Sequence, residues 1–167
     1  ILAVSEVPTK GIRKNKIINE EEVKQVVASV IKDAEDKLNL PINKLIMVVP
    51  SNELEFTIGE AKINVISEDK VITGQDVVKV VQESAHNIVQ DNMELVSIIP
   101  ISFKLDNNNL TKNPKKMISN TLGVRSVIIT APKNSIYPYI GILEQMNIDV
   151  LDIAFDSMGD YFTYRNK

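Results

Sequence analysis

The side chains best able to do chemistry are three aspartates near the end of the sequence, Asp149, Asp152 and Asp156. Carboxylates at a strand end are ligands that Mg²⁺ accepts in proteins. In a regular strand, however, Asp149 and Asp152 lie an odd number of positions apart, so their side chains point to opposite faces. We therefore expect that these aspartates do not share a metal ion.

Two basic clusters could bind phosphate or an acidic partner. The first surrounds Gly11 and contains Lys10, Arg13, Lys14 and Lys16; the second contains Lys112, Lys115 and Lys116. Phosphate loops place glycine-rich backbone directly before a helix, and the first cluster lacks that arrangement. We expect the first cluster to be a solvated hairpin and the second to be an exposed loop.

The composition excludes several functional classes. The 167 residues contain no cysteine and one histidine, so thiolate metal sites and disulfides are ruled out. His86 falls away from the apolar stripe of its predicted helix, so we expect it at the surface. A net charge of −3 argues against broad nucleic-acid binding, and no apolar run is long enough for direct membrane insertion. Because the chain starts with Ile1, we expect a fragment of a bacterial-type cytoplasmic protein.

The first third of the chain predicts two β-like runs followed by a helix. The runs cover residues 1–7 and roughly 11–18, and turn-forming residues separate them. Asn19 is a predicted N-cap with Glu22 at the capping-box position. The helix is predicted to end near Asn39, because a proline follows closely.

The middle of the chain predicts amphipathic strands around one helix. A buried strand at Lys44–Pro50 precedes a predicted hairpin over Leu54–Val65, with its turn at Gly59-Glu60. Thr73 and Asp76 resemble the capping box of a second helix.

Pro100 interrupts a run that otherwise indicates a long strand. The segment before it is apolar on both faces, whereas Ile101–Leu105 alternates as a half-buried strand does. We predict that the proline ends one stretch of hydrogen-bonded ladder and marks a change of packing environment. An apolar strand at Val124–Ala131 follows.

The last part predicts a helix over Lys133–Met146, a C-cap at Asn147 and a strand over Val150–Phe155. Asp156 is predicted to cap a final, unfinished helix. Residues 1–50 and 131–167 thus alternate strands and helices as an α/β layer does, whereas residues 51–130 predict a small α+β insertion.

One predicted strand of the insertion should lie at a sheet edge, where unpaired backbone groups either are guarded by charges or bind a partner. The sequence leaves both alternatives open. The candidate interface residues are Glu53, Leu54, Glu55, Phe56, Lys62, Lys104, Lys115 and Lys116. We predict no catalytic, cofactor-binding or metal-binding residues.

Several short motifs occur in a characteristic order. They are Gly11-Ile12-Arg13-Lys14 leading to Ile18-Asn19, Ile72-Thr73 with Asp76-Val77, Ile98-Ile99-Pro100 with Phe103 and Asp106, Asn113-Pro114 with Met117, and Leu143-Glu144 leading through Asn147 to Val150, Asp152 and Ile153. In this order and spacing the sequence resembles the bacterial cell-division FtsA family. The family's phosphate loops have no counterpart here, and its usual Asp-Pro is Asn113-Pro114.

The resemblance implies part of an actin-like, ribonuclease H-like subdomain, with residues 51–130 as the inserted interaction subdomain. It implies a non-catalytic module for self-association and for contact with other division proteins, at the inner face of the membrane at the division site. The ATP and Mg²⁺ of the family, and its contact with FtsZ, would belong to regions outside these residues. The alternatives are a fragment that retains ATP binding, and a free-standing adaptor like the pilus-assembly relatives of the actin-like group.

Overall fold

The computed structural model describes residues 1–156, and these residues form two units. One unit contains Ile1–Asn52 and the segment that begins at Lys133; the other is Glu53–Pro132. The domain limits predicted from the sequence, residues 1–50 with 131–167 for one domain and 51–130 for the other, remain a prediction. In chain order the elements are β1 (Ile12–Arg13), β2 (Lys16–Ile17), α1 (Glu20–Leu38), β3 (Lys44–Val49), a 3₁₀ turn (Ser51–Glu53), β4 (Glu55–Asn64), α2 (Gly74–Glu83), β5 (Met93–Leu105), β6 (Leu110–Thr111), β7 (Thr121–Pro132), α3 (Lys133–Gln145) and β8 (Asp149–Phe155).

The first unit begins with an extended segment, and the strand predicted for residues 1–7 is wrong. Ile1 and Leu2 are almost fully exposed, and no strand within residues 1–156 pairs with this segment. Apolar residues alone do not make a strand, because the ladder needs a partner. The next run is a two-stranded hairpin of β1 and β2, with positive φ at Lys14 and Asn15 between them.

Helix α1 begins and ends where the sequence predicts. The Asn19 side chain accepts a hydrogen bond from the Glu22 backbone N–H at 3.2 Å, which satisfies one of the free donors of the first turn. Asn39 ends the helix in the left-handed conformation, with φ of 54°. Both caps are formed by neighbours in the sequence, so local chemistry determines them.

Strands β3 and β8 pair in parallel. The prediction that β3 is buried is wrong, because Ile46 and Val48 are 59% and 58% exposed. One face of this two-stranded sheet is uncovered in the described residues, although β3 is apolar from Leu45 to Val49. Helix α3 contains Pro138 as predicted, and Asn147 follows it with positive φ. The final helix predicted after Asp156 lies outside the described residues.

The second unit is an antiparallel sheet with the strand order β4-β7-β5-β6. Helix α2 packs on one face, over a core of seven buried residues. These are Val65, Ile72, Val80, Phe103, Leu105, Leu122 and Val124. The predicted fold class, α/β combined with α+β, is confirmed.

The hairpin predicted over Leu54–Val65 is wrong, because this segment forms the single strand β4. Gly59 pairs with Ser126 in the middle of that strand. A Cβ atom at Gly59 would lie 2.1 Å from the Ser84 carbonyl oxygen, at the C-terminal end of α2. The glycine therefore allows α2 to approach the sheet, and it does not form a turn.

The predicted interruption at Pro100 takes the form of a β-bulge. Strand β5 continues through the proline and pairs with β7 on both sides, so the predicted end of the ladder is wrong. The register shifts once between Leu95 and Ser97 and again between Pro100 and Ser102. Bulges are among the places where a sheet tolerates proline, because the ladder is already disrupted there.

The capping box predicted for α2 is confirmed. The Asp76 amide donates to the Thr73 hydroxyl at 3.2 Å, and the Thr73 amide and hydroxyl donate to the Asp76 carboxylate at 2.8 and 2.6 Å. The hydroxyl bond, followed by the backbone bond, holds the pKa of the Asp76 carboxyl below its usual value of 3.8.

This capping box leads to a prediction for Asp76→Asn. A lowered native pKa means that the charge stabilises the fold fully above the unfolded-state pKa, and that this contribution is lost as pH falls through the native pKa. We expect the variant to lower the free energy of unfolding by about 0.5–1 kcal/mol at pH 7 and to match wild type at the acid end. Urea titrations at a series of pH values measure both effects. Glu83→Gln, at the other end of α2, removes the same charge and should have little effect; a pH-independent loss for Asp76→Asn would contradict the assignment.

Candidate interaction surface

The sheet of the second unit leaves one face uncovered by α2, and we call it the open face. Directly paired residues of antiparallel strands share a face, so the register divides it into rows. One row contains Lys62, Gly123, Lys104 and Leu110, and the next contains Glu60, Arg125 and Ser102. The Arg125 Nε atom lies 3.5 Å from a Glu60 carboxylate oxygen, in an exposed ion pair. We call these two rows the cationic half, since three of their four charged side chains are positive.

The other two rows of the open face are mainly apolar. One contains Ile58, Val127 and Ile99, and the other contains Phe56, Ser97 and Ile129, of which Ile129 is buried. Phe56, Ile58 and Ile99 are 58%, 46% and 42% exposed. Large apolar side chains that lie together and remain this accessible are typical of an interaction surface. These rows are called the apolar half.

The cationic half contains a groove of about 550 Å³. Gly123 lies in its row between Lys62 and Lys104, so a missing side chain leaves space at the centre. A Cβ atom there would meet its nearest neighbours at 3.6 Å, an ordinary contact distance. The fold therefore does not require glycine at position 123, in contrast to position 59.

Strand β4 forms one edge of this sheet. In the described part of the chain it pairs only with β7, which leaves the other side of a ten-residue strand without a partner strand. Unpaired strand edges can add a strand from another chain. The sequence predicted an edge strand in this region, although it placed a hairpin there.

The structure divides the candidate residues predicted from the sequence into separate places. Lys62 and Lys104 share a row on the open face. Glu53 and Leu54 precede β4, and Glu55 and Phe56 begin it on opposite faces.

Lys115 and Lys116 lie on the α2 side, away from the open face. The Lys116 amide donates to the Ile72 carbonyl oxygen at 2.9 Å, directly before the helix cap. The Lys115 ammonium is 3.9 Å from the position that a Cβ atom would take at Gly74. These two lysines therefore do not belong to the same surface as Lys62 and Lys104.

Sequence reasoning missed Glu60, Gly123 and Arg125 on the open face. The hairpin hypothesis placed Glu60 in a turn, and the predicted strand at Val124–Ala131 began too late to include Gly123. The signal was present only in residues 121–125, where Leu122 and Val124 of the core alternate with Thr121, Gly123 and Arg125.

Two other predictions concern isolated polar residues. His86 is exposed, as predicted. The prediction that Asp149 and Asp152 point to opposite faces is wrong, because Leu151 bulges out of the ladder. Asp149 pairs with Lys44 and Asp152 with Ile46, so both aspartates lie on the same side of the strand. Among residues 1–156 no three acidic or histidine side chains group in a way that could hold a metal ion.

None of the helices within residues 1–156 combines the length and the apolar character needed to cross a lipid bilayer.

An antiparallel sheet with one helix on one face defines the second unit as a small α+β domain. Residues 51–130 match the family model described as the SHS2 domain inserted in FtsA. They therefore belong to that SHS2 family, and the chain is a relative of the FtsA proteins, which confirms the resemblance seen in the sequence.

Curated relatives extend the similarity beyond the SHS2 domain. Over 95% of its length the chain is 27% identical to cell division protein FtsA of Bacillus subtilis and covers 36% of that protein. It is 25% identical to FtsA of Streptococcus pneumoniae over 95% of the chain and 35% of the relative. For FtsA of Enterococcus faecalis the identity is 24%, over 92% of the chain and 35% of the relative. The chain thus spans about a third of the length of these relatives.

Proposed function

We propose that this chain is a non-catalytic interaction and self-association module of an FtsA-like cell-division protein. The observation that carries the proposal is an SHS2 domain with an unpaired ten-residue edge strand next to an open, half-apolar face. Both features are suited to contacts with other proteins. The curated relatives are named as cell-division proteins, which supports the cellular context.

Within the whole protein, we propose that this module helps to link the FtsZ ring to the membrane and to recruit other division proteins. It would act in the cytoplasm, at the inner face of the membrane at the division site. Contact with FtsZ, and ATP with Mg²⁺, would be functions of other regions of the protein.

The electrostatics of the site support a binding role over a catalytic one. Catalytic groups work best where water is excluded and their charges are strengthened. Here Glu60 and Arg125 have side chains that are 69% and 58% exposed, so water screens their charges. Charges of this kind contribute to specificity and to the rate of association.

We propose that self-association uses the free edge of β4. Two copies can pair in antiparallel fashion about a two-fold axis perpendicular to the sheet, which keeps the open faces on one side. With the axis at Ala61, Glu60 of one copy lies opposite Lys62 of the other, and this pair occurs twice. Opposite charges directly across a strand pair stabilise it by about 0.2–1 kcal/mol per pair.

The test is sedimentation velocity over a wide dilution series, with and without Mg-ATP. We expect reversible association that nucleotide does not change. Glu60→Lys places two lysines opposite each other twice and should weaken association about tenfold. The double variant Glu60→Lys/Lys62→Glu restores opposite charges and should recover most of the loss. Since the double variant does not restore the contact with Arg125, recovery would exclude that contact as the cause.

Three outcomes would contradict parts of the proposal. A strict monomer at every concentration would remove self-association and favour an adaptor for a different protein. Equal weakening of self-association in the single and double variants would contradict the proposed β4 pairing, in which Glu60 of one copy lies opposite Lys62 of the other. A shift of the sedimentation boundary by Mg-ATP would favour a fragment that retains nucleotide binding.

A further inference from the structure

We propose that the open face docks a helix of a partner protein whose docking side is acidic at one end and apolar at the other. Carboxylates of the helix would lie over the cationic half, and its apolar side chains would cover Phe56, Ile58 and Ile99 of the apolar half. This inference rests on the proposed interaction function and names the chemistry of the partner.

The cationic half of the open face differs in charge from the rest of the chain. The cationic half carries Lys62, Lys104 and Arg125 against Glu60, a local excess of two positive charges. The whole chain has a net charge of −3, so this half is opposite in sign to the molecule around it. A patch of this sign attracts an acidic segment and disfavours a basic one.

Gly123 lies at the centre of the cationic half, between Lys62 and Lys104. Glycine in the interior of a strand weakens the strand, and it usually marks a bulge or the close approach of another group. The register is regular at Gly123, and a Cβ atom would fit there at ordinary contact distances. A side chain at this buried position would extend into the groove between Lys62 and Lys104, which the glycine leaves unfilled.

The shape and length of the open face suit a helix. A sheet face is ordinarily covered by a packed helix or a second sheet, and α2 already covers the opposite face. The four rows are two residues apart, so they span roughly 20 Å along the strands. A helix of about 14 residues has this length. Its charged and apolar residues would have to be segregated along its axis, as the two halves of the face are.

The experiment measures the binding of designed peptides to the full chain by fluorescence anisotropy. The probe is a labelled helical peptide of about 16 residues. One half of its docking face carries glutamates and the other half leucines. Its twin carries lysines in place of the glutamates. We expect saturable binding of the acidic peptide, at least tenfold tighter than that of the twin, and weaker binding at high salt.

Matched variants locate the site. Lys104→Glu should weaken binding of the acidic peptide at least tenfold. Lys115→Glu makes the same charge change on the α2 side and should leave the affinity within about twofold. Gly123→Gln fills the groove without adding charge and should also weaken binding, whereas Gly123→Ala serves as its folding control.

Several results would overturn the proposal. Equal losses for Lys104→Glu and Lys115→Glu would indicate non-specific attraction, and tighter binding of the lysine twin would reverse the charge assignment. If neither peptide bound, the proposal of a docking site on the open face would be wrong. The sedimentation experiment on β4 would still test the proposed self-association independently. If Lys104→Glu abolished self-association, a second copy of the chain would be the occupant of the face.

Discussion

Replacing Gly59 with alanine is expected to lower the free energy of unfolding of the second unit by about 3 kcal/mol. The new Cβ atom would lie 2.1 Å from the Ser84 carbonyl oxygen, 2.9 Å from a side-chain carbon of Ile128 and 3.0 Å from one of Ile88. The closest of these is a backbone atom at the end of α2, so the clash is relieved only if the helix moves away from the sheet. That movement would open the core that the sheet and α2 enclose.

Urea denaturation measures this effect, and Gly123→Ala is the matched control. Both changes add one methyl group inside a strand of the same sheet, but the nearest neighbour at Gly123 is 3.6 Å away. We expect the control to be neutral or slightly stabilising, because alanine has less conformational freedom to lose. Hydrogen exchange should show lost protection in α2 and β4 of the Gly59 variant. Equal stability of the two variants would contradict this account of Gly59.

The second large effect is expected for Gly11→Ala, in the first unit. Gly11 has φ of 75°, where an L-residue is strained by roughly 1–2 kcal/mol. Its Cβ atom would also lie 2.4 Å from the Asn19 carbonyl oxygen. The Gly11 carbonyl accepts hydrogen bonds from the amides of Ile18 and Asn19 at 2.8 and 3.1 Å. Since Asn19 caps α1, we expect a total loss of about 3 kcal/mol and fraying at the start of that helix.

The control for Gly11 lies in α3 of the same unit. No atom lies within 4 Å of a Cβ built at Gly141, which lies inside a helix. Gly141→Ala should therefore raise the free energy of unfolding by about 0.5–1 kcal/mol, because alanine favours a helix over glycine. The two alanine variants should shift the urea midpoint in opposite directions. A stable Gly11→Ala protein with normal amide protection at the start of α1 would contradict the prediction.

The features predicted correctly from the sequence depend on short-range contacts. Asn19, Asn39 and the pair Thr73 and Asp76 each cap a helix through residues at most four positions away. The sequence contains both partners of each such interaction, so the local pattern was sufficient.

The errors concern residues whose environment is determined over long distances in the chain. Gly59-Glu60 has the composition of a turn, but the constraint on Gly59 comes from Ser84, 25 positions later. Ile46 and Val48 indicate a buried strand, although their exposure depends on which elements cover the strand. Neither fact can be read from the neighbouring residues.

The candidate surface was predicted only in part for the same reason. Lys62 and Lys104 were identified from the sequence, because charged residues in amphipathic strands indicate exposed positions. Their common row depends on Gly123 and on the register of three strands. A one-residue change of register would have separated them, so only the paired sheet could bring them together.

The two bulges of β5 have a consequence for insertions and deletions in related chains. Each bulge inverts the side-chain phase of the strand, and the second restores what the first reversed. Only the segment from Ser97 to Pro100 is therefore inverted, which turns Ile99 towards the open face while Phe103 stays in the core. Deletion of the extra residue of a bulge, Val96 or Ile101, would leave the other residues of β5 on their present faces. A deletion between the bulges, from Ser97 to Pro100, would instead move the residues on one side of it to the opposite face. Single-residue deletions in this strand should therefore be tolerated at the two bulges, where Ile99 keeps its place on the open face and Phe103 its place in the core.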